Sequence, residues 1–356
     1  KQVGKLKNLS FFNQLGTFYD RTQRLRKLAS LISDQLNLNK EKLEIASSIC
    51  KADLVSDLVG EYPELQGTMG KYFALEQGFE EDVSLAISDH YLPIGFNSEV
   101  PKKPIGSAVA LIDKIDMLVG FFGIGEKPTS SKDPFALRRS AIGLLRIITE
   151  NKLKIQMKDL INRSIFIYQE QDVKFSNNLI LKDILFFLME RFKNLLRDKK
   201  IRNDIIEAAG ASHNSDDFLA LYKKCLIINK NISKEVCKNI IGAYKRVSNI
   251  IEQEVKNNKG DILGQPEVFL FKKDEEKLLY NKINEIREYF LSTKKRESYD
   301  ETLKILAEAK PATDNFFDNV IVNDDNSDVK KNRLELLQMF CKTYNNFIDF
   351  SKVEGI

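Results

Sequence analysis

The chain has 356 residues, 30% of them charged and 43% hydrophobic, with a formal net charge of +4. That length allows two domains of ordinary size, and no apolar run approaches the roughly 18–20 residues a membrane-spanning helix needs. The first 150 residues balance at 19 basic and 19 acidic side chains, so the whole excess lies in the remainder. Neither half carries the field of a strongly basic nucleic-acid module, and any RNA site has to be a local patch.

The expected fold class is all-α, because strands need alternating β-branched and aromatic runs and the only such stretch, VIVN at 320–323, is short and isolated. Residues 21–36 place Leu25, Leu28, Ile32 and Leu36 at helical spacing. Residues 91–106 hold three prolines and read as a loop inside the first domain. The mostly apolar stretch 103–122 reads as a helix through the middle of that domain. Residues 181–198 put Ile184, Phe187, Leu188, Phe192, Leu195 and Leu196 on one face. Helices follow at 233–255, 274–292 and 331–350, with a loop at 256–269. The polar cluster Ser176, Asn177 and Asn178 separates two helical patterns and suggests domains of 1–175 and 176–356. No signal peptide is expected from the opening residues. Cys50, Cys225, Cys237 and Cys341 lie far apart without Cys-x-x-Cys spacing, which fits reduced, buried thiols of a cytoplasmic protein.

Three basic stretches are candidate RNA contacts. In GFFGIGEKPTSSKDPFALRRSAIGLLRII (120–148), Gly120, Gly123 and Gly125 lead through a Ser/Thr cluster to Asp133-Pro134. Asp133 suits an N-cap and Pro134 the first helical position. A stiff glycine-rich loop feeding a helix with Arg138 and Arg139 suits a phosphate backbone; it equally suits a tight helix–helix corner. The densest run, RFKNLLRDKKIR (191–202), has six basic residues and one acidic. It suits RNA or a solvated helix end. In AYKRVSNII (243–251), Arg246 and Asn249 are i, i+3 neighbours beside Tyr244 and Lys245. Stacking on aromatics or arginine and hydrogen bonds to splayed base edges are how single-stranded bases are read. An Asn cap and an Arg ion pair are the equal alternative.

These blocks carry a family resemblance. FFNQLGTFYDRTQRL (11–25), KADLVSDLVGEYPELQGTMGKYFA (51–74), DVSLAISDHYLP (82–93), AVALIDKIDMLVGFFGIGEKPTSSKDPFALRR (108–139), AYKRVSNI (243–250) and FFDNVIVNDDNSDVKKNRLELL (316–337) resemble the β subunit of bacterial heterotetrameric glycyl-tRNA synthetase. The resemblance spans nearly the whole chain and is weak over roughly 151–230. It implies tRNA(Gly) and an α subunit as partners in an α2β2 assembly, with neither DNA nor membrane. ATP and Mg²⁺ are then bound by the α subunit, and this chain holds no catalytic centre or cofactor. Because the chain starts at Lys1 and the family's large N-terminal portion has no counterpart here, a C-terminal fragment is expected.

Within the resemblance, EIASSICKADLVSDLVGEYPELQG (44–67) is similar to the second helix of HD-domain phosphohydrolases, whose His-Asp pair binds a metal. Here the pair is Ala52-Asp53, the downstream aspartate maps to Asp113, and His90 lies where another ligand is placed. The chain has two histidines, His90 and His213, too few for such a centre. The expectation is a degenerate HD-like domain whose Asp53 and Asp113 either line a residual RNA-contacting pocket or tie helices through Lys51 or Lys114. A metal-dependent phosphohydrolase is the rival reading, and a scaffold for the α subunits a third. A P-loop fails because Glu126 takes the lysine position. Neither class I nor class II synthetase motifs are present. From about residue 181 the chain resembles the DALR-like anticodon-binding bundle, on LFFLMERFKNLLRD, AYKRVSNII and NRLELL; the string DPFALRR at 133–139 is not that signature. The resemblance therefore implies acceptor-side contacts at Lys132, Arg138 and Arg139, and anticodon-side contacts at Tyr244, Lys245, Arg246 and Asn249.

Overall fold

The computed structural model describes residues 2–95, 97–129, 131–211, 216–258, 264–292 and 298–354. Among them the chain is helical, and the one sheet is an antiparallel hairpin of β1 (Ser10–Phe12) and β2 (Gly16–Thr17). No strand forms at 320–323. Two compact units result, one of residues 1–195 and 216–220, the other of 196–215 and 221–356. Ser176 and Asn177 bond into the first unit, donating their backbone N–H groups to the Gly123 carbonyl at 2.9 and 3.1 Å. His213 and the centre of the 256–269 loop lie outside the described residues.

In the first unit, α1 (Phe18–Leu36) starts at a capping box in which Thr17 and Asp20 exchange side-chain-to-backbone bonds. It buries Leu25, Leu28 and Ile32, and on the same side Arg21 and Arg24. The helices α2 (Lys40–Ile49), α3 (Thr68–Glu76) and α4 (Glu81–Asp89) follow. Then α5 (Pro104–Gly123) packs against α1, α2, α4, α6 (Leu137–Glu150) and α7 (Met157–Glu170). Its Val109, Leu111, Ile112, Ile115, Leu118 and Val119 are fully buried, each worth about 1.5–3 kcal/mol of transfer free energy. The sequence placed this helix correctly, at the centre of its unit. The glycines at its end serve packing: a Cβ at Gly120 would collide with the Tyr168 hydroxyl, and one at Gly123 with the Phe175 ring. The last helix, α8 (Ile180–Asp198), runs to the division between the units.

In the second unit, α9 (Asn203–Gly210), α10 (Phe218–Asn231, whose first residues belong to the first unit), α11 (Glu235–Asn258), α12 (Asp274–Leu291), α13 (Tyr299–Ala307), α14 (Lys310–Asn319) and α15 (Ser327–Asn345) form the bundle. The last of these begins earlier than the apolar periodicity suggests, because Asn326 accepts from the Asp328 and Val329 N–H groups and caps it there. Around α11 and α15 the core is aromatic, with Phe340 and Tyr344 stacked at 4.1 Å. The buried Arg333 donates to Glu276 at 2.7 Å and to Asp324 at 2.9 Å.

Candidate RNA-binding surfaces and a buried charged centre

The apolar run of α5 is interrupted by Asp113, Lys114 and Asp116, all buried. Buried charges must be paired, and α1 supplies the partners. Arg21 donates to Asp113 at 2.9 Å and approaches Asp116 at 3.5 Å. Arg24, wholly buried, bonds Asp116 at 2.7 and 3.2 Å and lies 4.0 Å from the Tyr168 ring centroid. Two arginines at i, i+3 on α1 thus face two aspartates at i, i+3 on α5. Lys51, following α2, adds a third cation 3.2 Å from Asp113. Burial alone would raise the Asp113 carboxyl, but Arg21 and Lys51 hold it well below the usual carboxylate range.

The other members of this centre are less satisfied. Asp53 Oδ2 accepts from the Gly67 N–H at 2.6 Å, whereas its buried Oδ1 has no partner; burial raises its pKa. His90 is fully buried. Its Nδ1 donates to the Ile87 carbonyl at 2.7 Å, its Nε2 has no partner, and burial lowers its pKa well below the ordinary histidine value. Lys114 donates to the Leu92 carbonyl at 2.8 Å, and burial brings its pKa down to about 8. Of the sequence alternatives for Asp113, the helix-tying one is what the geometry provides, through Lys51 and Arg21. Lys114 is not that partner. The residues at the HD positions do not fit a metal: Ala52 offers no donor, Asp113 is held by two cations, and no group of three or more His, Cys, Asp or Glu among the described residues is arranged to ligate one. Sequence reading missed Arg21, Arg24 and Asp116; the signal was the matched i, i+3 spacing of opposite charges inside two apolar faces.

At the loop–helix block, α6 starts at Leu137, three residues after Pro134. Ala136 adopts φ 54°, which breaks the helix before it, so Pro134 is not the first helical residue. Asp133 still caps: its two carboxylate oxygens accept from the Leu137 and Arg138 N–H groups at 2.8 and 3.0 Å. Lys132 and Arg139 are exposed. Arg138 is half-buried and donates to the Thr129 carbonyl. Nearby on α8, the Arg191 guanidinium lies 3.7 Å from the Phe187 centroid, and burial together with the Arg138 charge lowers its pKa. Of the rest of the basic run at 191–202, which crosses from one unit to the other, three side chains pair inside their respective units: Lys193–Glu190 at 3.4 Å, Arg197–Glu207 at 3.7 Å and Arg202–Asp204 at 2.7 Å.

On α11 the four candidates separate. Tyr244 corrects the sequence reading: it is 3% exposed, and its hydroxyl donates to Asn345 Oδ1 at 2.8 Å, so it is a core residue and presents no face to a base. The helix turns it inward with Val247, a core neighbour three residues on. Lys245 is half-buried, and Arg246 and Asn249 are exposed. Arg246 lies 4.4 Å from the Phe317 centroid and 3.9 Å from the Asp318 carboxylate.

A family model described as "Glycyl-tRNA synthetase beta subunit" matches residues 1–211, and one described as "DALR anticodon binding domain" matches 240–354. Among curated relatives, a glycine–tRNA ligase beta subunit of Clostridioides difficile (strain 630) is 37% identical over 353 residues, covering 99% of this chain and 50% of the relative. That of Rhodospirillum centenum is 36% identical, covering 98% and 49%. That of Buchnera aphidicola subsp. Schizaphis graminum is 38% identical, covering 97% and 49%. The chain spans about half the length of the curated relatives it matches.

Proposed function

The chain belongs to the glycyl-tRNA synthetase β-subunit family, and from that membership we propose that it is a tRNA-holding part of glycine–tRNA ligase. In this reading it positions tRNA(Gly) in the cytoplasm while a partner α subunit, in an α2β2 assembly, carries out ATP- and Mg²⁺-dependent glycylation. This chain then contributes no catalytic group, metal or cofactor. The first unit is a degenerate HD-like domain that meets the acceptor arm through Lys132, Arg138 and Arg139. The second unit meets the anticodon through Arg246 and Asn249, with Lys245 beside them.

The observation that carries the reading is the match of the anticodon-binding model to 240–354, on a unit where Arg246 and Asn249 are solvent-facing neighbours one turn apart. The buried aspartates fit a degenerate HD-like domain without hydrolase chemistry: Arg21 and Lys51 supply the positive charge Asp113 requires. Glycylation by the reconstituted α/β enzyme, with wild-type and anticodon-substituted tRNA, tests it. Loss of activity in Arg246 or Asn249 variants on the wild-type tRNA, with little loss on the substituted one, is the expected result. Equal loss on both would assign these residues to structure.

A further inference from the structure

We propose that Arg246 and Phe317 form a two-layer platform on which one unpaired base of the tRNA stacks, with Phe317 in the place that Tyr244 cannot fill. This rests on the tRNA-binding reading and names the aromatic partner within it. Phe317 comes from α14, some seventy residues from α11 in sequence, so only the fold brings it beneath Arg246. The guanidinium sits 4.4 Å from its ring centroid, within cation–π range. Phe317 is itself half-buried and braced edge-on by the fully buried Phe316 at 5.3 Å. The lower layer is therefore rooted in the core.

The upper layer lies over the ring and is not enclosed. The Arg246 side chain is 47% exposed, and its one carboxylate neighbour among the described residues, Asp318 at 3.9 Å, is 70% exposed. An ion pair so solvated binds weakly and leaves the planar guanidinium free to accept a base. Guanidinium planes and aromatic rings are the two surfaces on which unstacked RNA bases lie. Asn249, exposed one turn along α11, supplies a donor and an acceptor for the base edge. Asp318 favours an edge that offers an amino donor, and its charge disfavours a phosphate in the same spot.

The test uses the chain with tRNA(Gly) transcripts, intact or carrying one abasic nucleotide at each anticodon-loop position. Phe317→Leu removes the ring beneath Arg246 and should weaken binding of the intact tRNA by about twofold to thirtyfold, and Phe317→Tyr should restore it. One abasic tRNA should bind the parent and Phe317→Leu chains equally, since the missing base has nothing to lose. If Phe317→Leu lowers the melting temperature, Arg246→Lys keeps the charge but removes the plane and should show the same pattern. Equal weakening of every tRNA, or none, would overturn the platform while leaving tRNA binding intact. Failure of the parent chain to bind intact tRNA would overturn both.

Discussion

Asp113 shows how a residue chosen for chemistry can be explained by electrostatics. In sequence it maps to the downstream aspartate of an HD-type metal site whose His-Asp pair here reads Ala52-Asp53. In the fold, Arg21 and Lys51 surround it, so its role is to neutralise two buried cations. Asp113→Asn removes the carboxylate paired with Lys51 and leaves Arg21 with Asp116 alone, and should cost about 3–5 kcal/mol in denaturant unfolding; a loss below about 1 kcal/mol would show that water reaches them. Metal analysis of the purified chain should find no stoichiometric Mn, Fe or Zn. One tightly held equivalent near Asp53 and Asp113 would revive the phosphohydrolase reading.

His90 adds a pH dependence. Its folded pKa lies well below the unfolded value of about 6.5, so in that window the unfolded chain binds more protons. Stability should therefore fall as pH drops below about 6.5, with a slope approaching 1.4 kcal/mol per unit. His90→Asn can keep the bond to the Ile87 carbonyl and should flatten that slope. An unchanged slope in the variant would assign the effect to other groups.

At the scale of elements, periodicity was a good guide to the helices and a poor one to their ends. The 103–122 stretch was legible because an apolar helix of that length has to be central, and α5 is. The start of α6 was not, because the Asp133 cap reaches past a left-handed Ala136 to the Leu137 and Arg138 N–H groups. Tyr244 was misjudged because helix phase cannot say which side faces the core. Phe317 was invisible as a partner of Arg246, since only tertiary packing joins α11 to α14. The glycine cluster offered two readings, and packing now explains Gly120 and Gly123. Gly120→Ala must displace Tyr168 and should destabilise the chain by about 1–3 kcal/mol; a neutral result in thermal unfolding would mean that α7 yields easily.

The same block still presents Lys132 and Arg139 to solvent, with Arg138 half-buried beside them. The double change Arg138→Ala, Arg139→Ala should weaken all tRNAs alike and lower the salt slope by about one per lost phosphate contact. Unfolding of the double variant would mark the pair as structural, and unchanged affinity with an intact fold would remove both roles. On α11 a different signature is expected. Asn249→Ala should cost about 1–3 kcal/mol against the cognate anticodon, and much less against a substituted one.

For the molecule as a whole, charge argues that the proposed RNA site consists of discrete patches. The net +4 is small for 356 residues, and much of the densest basic run is spent on ion pairs within each unit. Binding by such a chain should show a modest salt slope and depend on a few named side chains, unlike a uniformly basic surface. The family match covers both units, while the chain spans half of each relative. The most direct measurement is therefore the affinity of this chain for tRNA(Gly) and for an anticodon-substituted tRNA(Gly), across a salt series. The expected result is tighter binding of the cognate tRNA at every salt concentration, with parallel log–log slopes, since base contacts set the gap and phosphate contacts the slope. Binding no tighter than to an unrelated RNA of equal length would contradict it.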